Sequence, residues 1–403
     1  MTQLKGFCDP RFRAAGDLFA RNIRSGQETG ASLHVTIDGE DVIDLWGGWH
    51  DREHSAPWNE HTIVNVFSAS KTVASLAVLL LVERGALDLD APVATYWPEF
   101  AQNGKERALV QHILAHTVGL PAWEPPFGIA DAYDTASSTA RLAAQAPWWE
   151  PGARGSYHAS SFGHLVSELV LRVSGRRLSQ YIADEIAGPL DADFYLGLPD
   201  TLFDRVATVY PAPVEAAPSA SKSAPQPTAD PVTPDPLAAE REIRARTRQG
   251  SFSGQKRDPL ALFNSPEWRQ SELAGSSGHA NARGLGRVMT VLANGGSSHG
   301  VKLLSDATIA RIFEEQFAGI DGYYLKPIRW GIGYALAPLE HKEKGPLPFL
   351  RPGPRTCYWY GAGGSLSIAD VERGVTLTYA MNQCQAGRGS LNAGYYDAVY
   401  DSL

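Results

Sequence analysis

An almost unbroken apolar run, Val73 to Val82 with only Ser75 inside it, follows Ser68-Ala69-Ser70-Lys71 after a single threonine, Thr72. A run with no polar face is satisfied only inside a protein, so it reads as a buried helix with Gly85 as its C-terminal stop. The polar tetrad at its head then faces a cleft. Positions three apart share a helix face, which brings Lys71 Nζ within reach of Ser68 Oγ without help from distant parts of the fold. A serine beside a lysine is a nucleophile with a base attached. The bland alternative is a serine that caps the helix and a lysine that snorkels to the surface.

Burial sets the chemistry of such a pair. An ammonium in a dry site beside the positive end of a helix dipole is destabilised relative to the neutral amine, so Lys71 is expected to accept a proton from Ser68. The same helix end offers the backbone N–H of Ser68 as half of an oxyanion hole. Spacing alone is weak, because Ser219–Lys222 and Ser253–Lys256 repeat it. Ser219 lies among prolines and alanines that cannot form a packed helix, and Ser253 sits in a polar, glycine-punctuated stretch. Only Ser68 precedes a buried helix.

Two further segments complete a pattern. Trp149 to Ala159 is rich in turn residues and leads to Tyr157, after which Ser160 to Val166 resumes a helical period. Near the other end, Cys357 to Ile368 reads as a strand whose glycines let backbone approach a ligand closely. In this order of serine-lysine, tyrosine and glycine-rich strand, the chain resembles the serine β-lactamase and penicillin-binding-protein superfamily. Within it, the class C-like branch that includes the family VIII carboxylesterases is most similar. The resemblance spans roughly residues 10 to 400 apart from one insertion. It includes His116-Thr117-Val118-Gly119-Leu120, which is similar to that branch's His-Thr-Ser-Gly-Leu stretch.

The resemblance implies a fold and a set of roles. The fold is α+β and β-lactamase/transpeptidase-like. Carried over by motif, Ser68 is the nucleophile, Lys71 its basic partner, and Tyr157 the first residue of Tyr-x-Asn, acting with Lys71 as general acid and base. Aligning Trp359-Tyr360-Gly361 with the superfamily's Lys-Thr-Gly makes the backbone N–H of Ala362 the second oxyanion donor. The departures bear on substrate. Trp359 carries no charge to pair with a β-lactam carboxylate, and Ala159 deletes the amide of Tyr-x-Asn, so both favour an uncharged ester.

Composition bounds the partners. At 403 residues with 43% hydrophobic content and 20% charge, the chain suits one large or two coupled domains with a substantial core. A formal net charge of -8 opposes nucleic acid and anionic membrane surfaces as partners, leaving a small-molecule ester; oligomeric state is not legible. The first ten residues contain no apolar core of signal-peptide length and no stretch approaches a membrane span, so a cytoplasmic location is expected. Cys8, Cys357 and Cys384 form an odd set without metal-ligand spacing, and reduced thiols are the default. No cofactor and no metal are expected.

Residues Asp9 to Arg24 read as an amphipathic helix, and Ala31–Ile37 with Asp41–Trp46 as a hairpin around Asp38-Gly39. Further strands are expected at Trp330–Leu336, Gly364–Ala369 and Val375–Met381. The economical architecture is an antiparallel sheet built from both ends of the chain, residues 1–60 and 263–403, flanked by helices. A mostly helical region, 61–210, carries Ser68, Lys71 and Tyr157. Residues 211–262 are rich in proline and alanine, then basic from Arg241 to Arg248, and read as a solvated surface insertion or a lid.

Substrate contacts are expected from Trp359, Tyr360, Gly361, His158, Trp123 and Trp149, because aromatics crowd the motifs and suit an apolar acyl or aryl pocket. His158 either tunes Tyr157, contacts substrate or is a plain loop residue. The function these features predict is a cofactor-independent serine hydrolase that cleaves short-chain or aryl carboxylic esters through an acyl-enzyme. Its rivals are an acyltransferase or amide hydrolase of the same superfamily, a β-lactamase or peptidase, and a binding protein that has lost the chemistry.

Overall fold

The computed structural model describes residues 4–211, 235–252, 258–342, 345–385 and 391–403. Its largest sheet has nine strands: β1 Lys5–Cys8, β2 Gly30–Ile37, β3 Glu40–Gly48, β4 Phe317–Ile320, β5 Pro327–Trp330, β6 Ala335–Leu336, β7 Thr356–Tyr360, β8 Leu366–Asp370 and β9 Val375–Met381. They lie in the order β1-β3-β2-β9-β8-β7-β6-β5-β4, every pair antiparallel. The two ends of the chain meet at the centre, where Leu33 of β2 lies opposite Tyr379 of β9. The β2–β3 hairpin turns through Asp38 at φ 50° and Gly39 at φ 85°, the left-handed pair that a two-residue turn needs.

The helices among the described residues that matter here are α1 Arg13–Ser25, α2 Ser70–Glu83, α3 Ser161–Ser174, α4 Ala238–Gln249, α5 Ala282–Ala293 and α6 Leu391–Tyr400, of which α1, α2, α5 and α6 lie against this sheet. Alternation along a strand sends neighbours to opposite faces. Tyr379 faces Tyr395 of α6, whose ring also meets Phe19 of α1. On the other face the polar half of the alternation meets α5: Thr36 Oγ1 bonds Thr290 Oγ1 at 3.1 Å, and Thr378 Oγ1 donates to Ala282 O at 2.7 Å. Both faces are therefore dry, with hydroxyls satisfied by a helix rather than by water. α2 is buried from Ser70 to Leu81, packs on α3 and touches α5 and β7. One apolar core runs continuously from Leu33 in the sheet through Leu79 in α2 to Leu169 in α3.

The structure corrects three expectations about segments. Trp330–Leu336 is not one strand but the β5–β6 hairpin, because Gly331 donates to Tyr334 O and Gly333 takes φ 84°. Cys357–Ile368 is likewise two strands, β7 and β8, joined by a turn at 361–365. The basic run of the insertion is helical: Ile243 packs against Gly322 and buried Thr247 follows four residues on, giving α4 an inward face. Residues 212–234 and 253–257 of that insertion, with Ser219–Lys222 and Ser253–Lys256, lie outside the described residues. Among the described residues no helix is long and apolar enough to cross a membrane.

Candidate active site

Ser68 occupies a 3₁₀ turn, Phe67–Ala69, that runs straight into α2. Phe67 has φ 49°, a left-handed conformation that costs a bulky residue on the order of 1–3 kcal/mol. Neighbouring bonds hold it there. Ser70 Oγ donates to Phe67 O at 2.5 Å and accepts Gly278 N–H at 3.1 Å, while Val66 N–H donates to Gly278 O at 2.9 Å. Ser70 is thus a staple between two loops, while the Ser68 hydroxyl meets Lys71 and Tyr157 instead.

Lys71 is 2% exposed. Its Nζ lies 2.8 Å from Gly275 O, 3.0 Å from Ala159 O and 3.3 Å from Ser68 Oγ, and it sits over the Tyr157 ring. No carboxylate pairs with it among the described residues. A dry, unpaired ammonium costs several kcal/mol, more than two carbonyl bonds return, so burial holds its pKa well below the ordinary lysine range. A neutral amine has two N–H donors and one lone pair. With the donors committed to Gly275 O and Ala159 O, the lone pair is left for the Ser68 hydroxyl.

Tyr157 follows a tight approach and closes on Ser68 from the other side, donating from Oη to Ser68 Oγ at 2.7 Å. Burial pushes its phenol up, so it is a proton donor at neutral pH. Trp359 of β7 donates Nε1–H to the same phenol oxygen at 3.3 Å. The backbone N–H of Tyr157 donates at 2.8 Å to the carboxylate of Asp321, which is wholly buried. A wall of rings surrounds the group: Tyr324 stacks on Tyr157 at 5.4 Å, Tyr323 meets its edge at 5.5 Å, and Tyr360 lies beside Tyr324.

The 361–365 turn docks on the Ser68 turn. Ser365 Oγ donates to Val66 O at 2.8 Å, and a Cβ on Gly361 would come within 2.3 Å of that same oxygen, so only glycine fits. Among the described residues neither Ser68 N–H nor Ala362 N–H, at the exposed tip of this turn, meets an acceptor. Two free backbone donors on adjoining turns are the parts an oxyanion hole requires.

The remaining expected site residues divide. Tyr360 lies beside Tyr324 and Gly361 packs on the Ser68 turn, while Trp359 is 3% exposed and spends its N–H on Tyr157 rather than on a ligand. Trp123 is a correction: it is fully buried, stacks on Phe127 at 3.8 Å and donates to Ser138 O, because its segment folds inward beneath α4. His158 is another. It is fully buried, accepts Leu120 N–H at Nε2 and bonds Ser156 O at Nδ1, and burial pushes its pKa down to about 3, so it is a neutral loop staple. Trp149 is half-buried and donates to Thr117 O, meeting the edge of His158. His116 turns at φ 58° and His112 bonds the Leu109 N–H at the start of its own short helix. All three cysteines are free, and burial raises the Cys357 thiol, which removes it as a nucleophile.

Several site residues carried no signal in the sequence. Gly275 contributes a carbonyl, which no motif announces, and a Cβ there would lie 2.9 Å from Lys71 Nζ. Phe263 reaches the Phe67 ring edge-on at 5.0 Å from beyond the insertion. Asp321-Gly322-Tyr323-Tyr324 carries in its letters only a turn signal and two aromatics.

Comparison with known proteins identifies the family. The family model described as Beta-lactamase matches residues 17–400. Esterase/beta-lactamase LipL of Mycobacterium tuberculosis is 30% identical over 388 residues, covering 94% of this chain and 82% of that protein. A crystal structure of a family VIII carboxylesterase superposes with a TM-score of 0.85 at 32% identity, covering both chains fully. A penicillin-binding protein homolog from Caulobacter crescentus gives 0.83 at 32% identity, also covering 100% of each chain. By sequence along nearly its whole length and by fold, the chain belongs to the β-lactamase family.

Proposed function

We propose that this chain is a serine carboxylesterase that works through an acyl-enzyme on Ser68. The observation that carries it is one oxygen held by two proton-handling groups, with Ser68 Oγ 3.3 Å from Lys71 Nζ and 2.7 Å from Tyr157 Oη. Ser68 Oγ attacks the ester carbonyl as its proton passes to the Lys71 lone pair. The carbonyl oxygen, now negative, lies against the N–H groups of Ser68 and Ala362. Tyr157 gives its phenol proton to the departing alkoxide, and Lys71 restores it. Water then takes the place of the alcohol, its proton moving through the same groups, and the acid leaves.

Substrate follows from the wall. Trp359, Tyr360, Tyr323 and Tyr324 surround Tyr157 with rings and bring no cation, so an uncharged, short-chain or aryl acyl group suits the site. Family VIII esterase and esterase/beta-lactamase names among the relatives support the same class. The domain division at 61–210 and 211–262, a small-molecule partner and a cytoplasmic location belong to this reading. Three free cysteines are compatible with a reducing compartment.

The test is hydrolysis of p-nitrophenyl acetate and butyrate together with labelling by a fluorophosphonate probe. Both are expected in the wild type, lost in Ser68→Ala and kept in Ser219→Ala and Ser253→Ala. Dominant transfer to an added alcohol would make the enzyme an acyltransferase, and efficient nitrocefin turnover would make it a β-lactamase.

A further inference from the structure

Asp321 lies in the turn between β4 and β5, at 0% exposure, with no lysine, arginine or histidine bonded to its carboxylate among the described residues. Four N–H groups replace a cation. Oδ2 accepts Tyr157 N–H at 2.8 Å and Trp330 Nε1–H at 3.2 Å; Oδ1 accepts Tyr323 N–H at 2.8 Å and Tyr324 N–H at 2.9 Å. One donor comes from Tyr157, far away in the chain, and the others from the 323–324 turn and strand β5 close to Asp321 itself; three of the four residues line or back the phenol that reaches Ser68. The turn is pinned by further bonds. Gly322 N–H donates to Gly155 O, Leu325 N–H to Asp321 O, and Asp321 N–H to Lys326 O. A Cβ on Gly322 would press on Ser156 at 3.0 Å, so this turn abuts the residues that precede Tyr157.

We propose that Asp321 is a positioning residue for the hydrolase, its carboxylate joining the Tyr157 backbone, the 323–324 turn and Trp330 into one unit that sets the phenol against Ser68. This inference rests on the esterase reading above. Asp321 touches neither Ser68 nor Lys71; it acts through Tyr157. A charged acceptor is required because two oxygens hold two donors each. An amide puts a donor-only NH2 where one of those oxygens was and leaves the two buried N–H groups facing it unmet, while a protonated carboxyl offers them a neutral hydroxyl oxygen that accepts only weakly and must itself donate.

Burial raises the Asp321 pKa to about 6 against the pull of its four donors. The titratable groups facing it stay in one state across this range. Tyr157, Tyr323, Tyr324 and Tyr360 are phenols raised by burial, and His116, packed between Tyr157 and Trp330, is held neutral by burial. The guanidinium groups of Arg244 and Arg248 of α4 lie beyond Tyr323. The unit therefore loosens on acidification through one proton.

The experiment compares wild type and Asp321→Asn for p-nitrophenyl butyrate hydrolysis from about pH 8 to about pH 5. At the alkaline end the variant is expected to lose about 10–100-fold in kcat with KM unchanged, the effect of a displaced phenol. The ratio of wild-type to variant kcat should then fall towards unity as acid neutralises the wild-type carboxyl. Lys71 is common to both proteins and cancels from that ratio. A ratio that stays constant with pH, or a variant with wild-type kcat, overturns the proposal. If Asp321→Asn does not fold, Trp330→Phe removes one donor from Oδ2 and is expected to lower kcat with KM unchanged; wild-type kcat there overturns it equally. Wild-type turnover that survives in Ser68→Ala would sink the esterase reading itself, and this inference with it.

Discussion

Two buried lysines sit in nearly the same surroundings, yet only one has been given chemistry. Lys71 donates to the carbonyls of Gly275 and Ala159 above the Tyr157 ring. Lys105 donates to the carbonyls of Gln102 and Gln145 above the Phe100 ring at 5.2 Å. Burial lowers the pKa of both, that of Lys105 to about 8. The difference is the third neighbour: Lys71 has the Ser68 hydroxyl and beyond it a phenol, whereas no hydroxyl bonds Lys105 among the described residues. Desolvation alone favours the neutral amine with its lone pair free, but that amine becomes catalytic only when the lone pair faces an oxygen that can attack.

The largest expected contrast is between the two lysines themselves. Lys71→Met should lower kcat for p-nitrophenyl butyrate by about 10³-fold or more, while Lys105→Met leaves kcat unchanged. Equal losses in steady-state assays of the two folded variants would erase the distinction. Next in size is the phenol. Tyr157→Phe keeps the ring under Lys71 and removes only the proton donor, so kcat should fall on the order of 10²-fold. A smaller loss for a substrate with a good leaving group, such as a nitrophenyl ester, than for an alkyl ester would locate the proton at the leaving alkoxide.

A pH profile sharpens the comparison further. Because Lys71 must be neutral to accept the Ser68 proton, kcat/KM should fall with acid. Because burial lowers its pKa, that limb should lie well below the ordinary lysine value of about 10.4. A limb at the ordinary value would show Lys71 hydrated and charged at rest. The smallest effect belongs to Lys105 and appears in stability only. Its folded pKa of about 8 is below the unfolded value of about 10.4, so the unfolded chain binds more protons in that window. Wild-type stability should therefore gain a component as pH rises through the window, and Lys105→Met should lack it in urea midpoints measured at both ends.

What could be read from the sequence was what depends on local pattern. The buried helix after Ser68, the Asp38-Gly39 hairpin and the loop-to-helix position of Tyr157 each follow from spacing within a few residues. Misreadings arose where tertiary packing reversed a local sign. The 330–336 segment looked like one strand because its apolar residues hid the turn made by Gly331 and Gly333. Trp123 and His158 were near the motifs in sequence, but their side chains close the interior behind the pocket. The carbonyl of Gly275 and the carboxylate of Asp321 were invisible for a simpler reason. A backbone acceptor has no sequence letter, and a lone aspartate in a turn looks the same whether it meets water or four N–H groups.

The central pairing of β2 with β9 also dictates when the molecule becomes whole. Strand β2 leaves the ribosome early, and its partner follows only after more than three hundred further residues, roughly half a minute of synthesis at typical elongation rates. During that interval Ser68 and Lys71 exist without the 361–365 turn, and the first hairpin presents an unpaired edge to the cell. Catalytic competence and protection from misassociation thus arrive together, with the last strands translated, and a nascent chain needs shelter until then.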